Sequence, residues 1–397
     1  MLHSTLTTKF IGQRGKLLRM ALWMGFLTVI TVGIYRFWMK TRLRRYYWSS
    51  IRPGGQPLEY VGEPLEKLLG FFIAVVILAF YIGVVNLILM FLSFSLFEGN
   101  SVAYFASLAG VVPIWFYARY RARRYVYART RWRGIRFGVD PGAWGYCWRA
   151  LVYWFLTIIS GTLLWPLMTY RLEKYRWDRT WFGDVQFNQG GRWTMLILGA
   201  IPSWIVLGFL VFALVGMYVT EDGDPEALLS IALPASPLLL LTFAWYRVRS
   251  FRQLSNTKTA GSIRFDCRIS APRVIWIYSF GYFVTSLIAG ALAIGVAFAF
   301  VGIMFANIGE AFSLDDFDNL GAPGLGLQAI GFALYFAVFL IWAALQHVFV
   351  TLPLWRHYAE RIEVLGAEAL VNVSQRERDE HREAEGFAEA LDLGAAI

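Results

Sequence analysis

Leu27-Thr28-Val29-Ile30-Thr31-Val32-Gly33-Ile34-Tyr35-Arg36-Phe37-Trp38 runs on into Thr41-Arg42-Leu43-Arg44-Arg45-Tyr46-Tyr47-Trp48. An apolar stretch gives way within a few residues to one where arginine alternates with aromatic rings, the composition of a membrane–water boundary. The pattern returns 129 residues later. There Leu156-Thr157-Ile158-Ile159-Ser160 is followed by Tyr170-Arg171-Leu172-Glu173-Lys174-Tyr175-Arg176-Trp177. A related pair is Tyr120-Arg121-Ala122-Arg123-Arg124-Tyr125 and Tyr246-Arg247-Val248-Arg249-Ser250-Phe251. Each of these runs into a glycine turn and a short alternating stretch, Gly134-Ile135-Arg136-Phe137 and Gly261-Ser262-Ile263-Arg264-Phe265. Looser copies are Thr180 to Phe187, Ser50 to Tyr60 and Arg361 to Gly366. One cassette thus recurs: membrane helix, basic-aromatic helix, glycine turn, short strand.

The whole chain suits a bilayer. Of 397 residues, 57% are hydrophobic and 16% charged, where a soluble chain carries roughly a quarter charged. Mean hydropathy is +0.50, and 37 Lys+Arg outnumber 27 Asp+Glu. Apolar runs long enough to span fall at 21–38, 68–96, 101–118, 149–169, 194–217, 226–245, 274–304 and 326–352. Three connections, 97–100, 218–225 and 305–325, are acidic and hold no Lys or Arg. If all eight runs crossed, basic connections would fall on both faces, against the positive-inside rule. If 21–38 and 149–169 instead enter and leave on one side, every basic connection is cytoplasmic.

The expected fold is therefore an all-α polytopic membrane protein, a duplicated repeat with six crossings, two re-entrant or interfacial helices and short cytoplasmic β-strands. Strands this short are unstable alone, so pairing between cassettes is expected. The expected domains are 1–148 and 149–273 as two membrane repeats, 274–366 as a third hairpin with a closing cassette, and 367–397 as a charged, flexible tail. The basic N-terminus lacks a small-residue cleavage site before Tyr35 and is expected to be retained.

The stretch Leu27 to Trp48 resembles the YjgN-type bacterial inner-membrane proteins, a family classed as a domain of unknown function. Ala128 to Phe137, Thr180 to Phe187, Asn256 to Phe265 and Pro353-Leu354-Trp355-Arg356 resemble that family's motifs in the same order, so the likeness spans roughly 9–366. It departs at Trp48-Ser49-Ser50, where the family has an Asn-Thr pair. The resemblance implies a bacterial inner membrane and supplies no substrate.

Catalytic signals are weak. His3, His347, His357 and His381 have no metal-ligand spacing, and Cys147 and Cys267 stand in basic segments where thiols stay reduced. No enzyme, metal or cofactor is expected. The strongest local signal is the set Arg36, Arg42, Arg44, Arg45, Arg121, Arg123, Arg124, Arg171, Lys174, Arg247, Arg249 and Arg252, placed just cytoplasmic of apolar segments. Such clusters attract anionic head groups at roughly 1 kcal/mol per basic residue. Anionic membrane lipids are the expected partners and nucleic acid is not; a protein partner or homo-oligomer stays open. Asn86, Gln346 and His347 are the candidate intramembrane polar path. Two functions follow: a transporter or channel for a small solute or lipid, or a non-transporting module that binds anionic lipids or a protein partner through its basic face.

Overall fold

The computed structural model describes residues 5–96, 102–220, 225–308 and 325–376. Residues 97–101, 221–224 and 309–324, which hold every carboxylate of the three acidic connections, and the tail beyond 376 lie outside the described residues. The chain divides into a sheet unit (Met1–Ile11, Arg44–Pro272, Tyr358–Ile397) and a helical unit (Gly12–Leu43, Arg273–His357).

The sheet unit overturns the all-α expectation. Ten strands, β1 (Thr5–Phe10), β2 (Ile51–Pro53), β3 (Leu58–Tyr60), β4 (Thr130–Trp132), β5 (Ile135–Val139), β6 (Thr180–Phe182), β7 (Val185–Gln189), β8 (Lys258–Ala260), β9 (Ile263–Cys267) and β10 (Ile362–Leu365), form one sheet. Its order is β2-β1-β10-β9-β8-β7-β6-β5-β4-β3, antiparallel at every paired neighbour, which makes it barrel-like and nearly closed. Only the ends of the order, β2 and β3, are unpaired with each other, and residues 54–57 join them. The strand pieces do pair between cassettes, as β5 with β6 and β7 with β8. They make the centre of the unit, however, where a minor appendage was expected.

Most of the strands hold three to five residues, too short to register as apolar runs and marginal alone. They persist because almost every edge is covered. Two-residue turns set the register: Arg133-Gly134, with φ of 54° and 80°, joins β4 to β5. Gly183 and Gly261, at φ 56° and 60°, open the turns β6–β7 and β8–β9. These left-handed angles match the twist of tight hairpins and favour glycine. Because paired strands alternate in direction, the tight turns fall on one rim of the sheet. Every strand end joined to an α-helix falls on the other.

The inner face is filled. Leu6, Trp132, Phe182, Phe187, Ala260 and Ile263 pack with Ala367, Leu370 and Val373 of a 3₁₀ turn that follows β10. Residues 367–373 thus enter the core of the sheet, and Ser374 fixes them by donating through its N and Oγ to the Asp184 carboxylate (3.1 and 2.9 Å).

Helical connections join the strands in chain order. α1 (Arg14–Ile30) and α2 (Arg36–Ser50) lie between β1 and β2, α3 (Pro64–Leu96) and α4 (Val102–Ala128) between β3 and β4, and α5 (Ala143–Ile159) and α6 (Trp165–Trp177) between β5 and β6. α7 (Ile197–Thr220) and α8 (Pro225–Asn256) lie between β7 and β8, and α9 (Ala271–Ile308), α10 (Leu325–Gln346) and α11 (Leu352–Glu360) between β9 and β10. In the sheet unit, α4, α5 and α6 pack through Phe116, Tyr120, Tyr146, Ala150, Met168 and Tyr175. Tyr170, Leu196, Ala200, Tyr246 and Leu254 continue that layer to α7 and α8.

The runs 21–38 and 149–169 are each broken in the middle. Thr28 Oγ1 donates to the Met24 carbonyl, Gly33 N to the Thr28 carbonyl (2.8 Å) and Tyr35 N to Thr31 Oγ1 (2.9 Å). In the second copy, Thr157 Oγ1 donates to the Tyr153 carbonyl, Thr162 N to the Thr157 carbonyl (2.8 Å) and Leu164 N to Ser160 Oγ (3.1 Å). Neither run is therefore one continuous helix. Six crossings were expected. Among the described residues four helices are long and apolar enough to cross a membrane: Pro64–Val85, Trp193–Gly216, Ala271–Gly302 and Gly331–Glu360. The runs 101–118 and 226–245 are not among them; they lie in the continuous helices Val102–Ala128 and Pro225–Asn256, parts of whose side chains are outside the described residues.

Candidate functional site

The basic-aromatic helices are organised in the sheet unit around one carboxylate. Glu173 on α6 accepts from Arg176 one turn on, from Trp177 Nε1 at 2.6 Å and from Lys258 Nζ of β8 at 3.3 Å. Lys258 Nζ also lies 4.1 Å from the centre of the Trp177 ring, and the Arg123 guanidinium stacks over Tyr127 (4.7 Å) and Trp177 (4.9 Å). Cations over ring faces gain from the ring quadrupole when water is excluded. Burial would raise the Glu173 pKa, but Arg176, Lys258, Arg123 and the Trp177 hydrogen bond together hold it well below the ordinary carboxylate range. Burial pushes Lys258 down to about 8, against the pull of Glu173 and with that of Arg123. This is a structural lock with three cations on one anion.

The structure sorts the expected head-group contacts into two kinds. Arg44 stacks over Tyr60 at 5.2 Å, Arg45 donates to the Gly62 carbonyl, Arg121 lies over Tyr117 and Lys174 pairs with Asp178 at 2.9 Å. With Arg123, these are engaged within their own unit, Lys174 also donating to the Gln189 carbonyl of β7 at 3.0 Å; Arg124, on the same helix as Arg123, also has partners within the protein. Arg171, Arg247 and Arg252 are exposed, and Arg249 is half-buried. In the helical unit, Arg36 and Arg42 are exposed on α2, and Arg36 has a partner.

Arg249 and Arg252 belong to a cleft of about 560 Å³ lined by Trp245, Arg249, Arg252, Gln253, Asn256, Arg268 and residues 269–272. No lining residue is acidic. Arg268 is neutralised from outside the lining by Asp266 (2.6 Å) and, at 3.8 Å, by Glu363. Neither Arg249 nor Arg252 has a carboxylate partner among the described residues. The cleft opens where α8 changes from its apolar stretch to its arginine stretch, with Trp245 at the junction.

The chain matches the family model described as "Bacterial protein of unknown function (DUF898)" over residues 5–390. It belongs to that bacterial family. No curated protein and no solved structure matches the chain. Family membership is thus firm, and the chemistry rests on the site itself.

The candidate polar path is divided between the two units. Asn86 lies on α3 and its side chain is outside the described residues. Gln346 Nε2 donates to Tyr282 Oη at 3.0 Å, and His347 opens a π-helical turn, His347–Thr351. The sequence signals did not single out Glu173, Lys258, Trp245, Gln253, Asn256 or Arg268. For Glu173 a signal existed: it is the sole acidic residue between Trp165 and Trp177. Arg268 and Asn256 have none, because only the meeting of α8 with the end of β9 sets them beside Arg249.

Proposed function

We propose that this bacterial protein is a non-transporting membrane module that binds anionic lipid head groups through its arginine–aromatic face, with the basic rim cytoplasmic in the inner membrane. The observation that carries the proposal is the uncompensated pair Arg249 and Arg252 beside Trp245, at the point where α8 leaves its apolar stretch. Arginine forks suit phosphate oxygens, and a tryptophan suits head-group depth. Exposed Arg171 and Arg247 add long-range attraction for an anionic surface. The filled inner face of the sheet supports a binding module over a channel through the sheet.

The test uses the full chain in nanodiscs of phosphatidylcholine with rising phosphatidylglycerol, with co-purified lipid counted after exchange. Phosphatidylglycerol is expected to be enriched around the protein over the bulk disc, less so at high salt, since exposed charges are screened. Equal retention of both lipids would overturn the proposal.

A further inference from the structure

The geometry points to a discrete phosphate-binding site in the cleft formed by Trp245, Arg249, Arg252, Gln253, Asn256 and Arg268, distinct from the diffuse attraction of the layer as a whole. The inference rests on the lipid-binding proposal for its ligand source: the phosphodiester of an anionic lipid. The same chemistry would also accept a free phosphate.

Three arginines converge on one concavity with no carboxylate in its lining. Like charges so placed repel, and an arrangement of this kind is stabilised by an anion between them. Several cations elsewhere in the sheet unit are compensated by carboxylates, Arg176 and Lys258 by Glu173, Arg129 by Glu66 and Lys174 by Asp178, and Arg123 is held over two aromatic rings. Arg249 and Arg252 depart from that pattern. They sit three residues apart on α8, which places them on one helix face. Arg268 is anchored by Asp266 and Glu363, which limits its freedom without filling the cleft.

The remaining wall is polar and incompletely satisfied. Gln253 has a buried Oε1 with no hydrogen-bond partner among the described residues, and a buried amide oxygen left unpaired is costly. Asn256 donates no side-chain group to that oxygen; its Oδ1 accepts from Cys267 N at 2.6 Å, tying the end of α8 to β9. A phosphodiester, as in a glycerol head group, would use the arginines for its charge. At about 560 Å³ the cleft is large enough for such a group.

Native mass spectrometry of the full chain from a neutral detergent tests this, titrating phosphatidylglycerol, phosphatidylcholine and, separately, inorganic phosphate. We expect one tightly held phosphatidylglycerol, weakened about tenfold or more in Arg249→Gln/Arg252→Gln, as befits two lost charge-assisted contacts. Arg133→Gln/Arg264→Gln, which removes equal charge from strand and turn positions outside the cleft, should stay within about twofold of wild type. Arg249→Lys/Arg252→Lys keeps the charge and should restore part of the binding, which separates a lost site from a misfolded protein. If phosphatidylglycerol stays preferred over phosphatidylcholine but is held equally by wild type and Arg249→Gln/Arg252→Gln, the cleft is wrong and the lipid-binding proposal stands. If wild type shows no such preference yet holds inorganic phosphate through Arg249 and Arg252, the cleft stands and lipid binding falls. Neither lipid preference nor phosphate binding would overturn both.

Discussion

Glu173 shows how a chain with a large cationic excess stays folded. Its carboxylate meets Arg176, Lys258 and the Trp177 indole in a space where the Lys258 side chain is 5% exposed. Removing one partner from a buried ionic cluster strands the others. Glu173→Gln should therefore lower unfolding free energy by about 3–5 kcal/mol, measured by thermal or chemical unfolding in detergent. Lys258→Met in the same background should recover part of the loss, since one stranded cation is gone; a double-mutant cycle reads the coupling. The depressed Lys258 sets a pH dependence. Folded, it loses its proton near 8; unfolded, near its ordinary 10.5. Between those values the unfolded chain binds the extra proton, so the contribution of this group to stability rises with pH. Wild type should gain on Lys258→Met as pH goes from about 8 to about 10.5, and a flat or falling difference would contradict the burial of the ammonium.

Among the elements, helices were more legible than strands, for a physical reason. An apolar run of span length announces itself, whereas β4, β6 and β8 hold three residues each and draw their stability from neighbours distant in sequence. Their glycine turns were visible, and so was the likelihood of pairing; the circular order was not, because β1 at Thr5–Phe10 carries no turn signal and pairs with β10. The arginine clusters were visible as a set. Which arginines lock the fold and which stand free depends on partners such as Tyr60 and Asp178, so composition could not sort them. The antiparallel order does yield a labelling prediction. Gln56 and Ser262 are exposed at tight turns on the same rim. Gln56→Cys and Ser262→Cys should react with an impermeant thiol reagent from one and the same side of sealed membrane vesicles, while buried Cys147 and Cys267 stay silent. Opposite-side labelling would break the sheet order.

At the level of the whole molecule, membership of a bacterial family of unknown function was legible across nearly the full chain, and the sheet that organises its motifs was not. The segment 367–373 illustrates the difference. It was expected to be part of the charged, flexible tail 367–397, yet Leu370 is 8% exposed within the sheet core. Leu370→Ala should cost about 2–4 kcal/mol, the usual range for a buried leucine left as a cavity, and truncation after Gly366 should cost more. Both are measurable as lowered melting temperature of the purified protein. The position of β1 between β2 and β10 has a consequence for biosynthesis. β1 leaves the ribosome before the other nine strands and β10, at 362–365, after them. Throughout the synthesis of everything between, the earliest strand keeps one edge open, so the sheet is completed only once β10 has been translated. A prematurely terminated product would display that edge, and with it a mark by which the cell's proteases could tell the fragment from the finished protein.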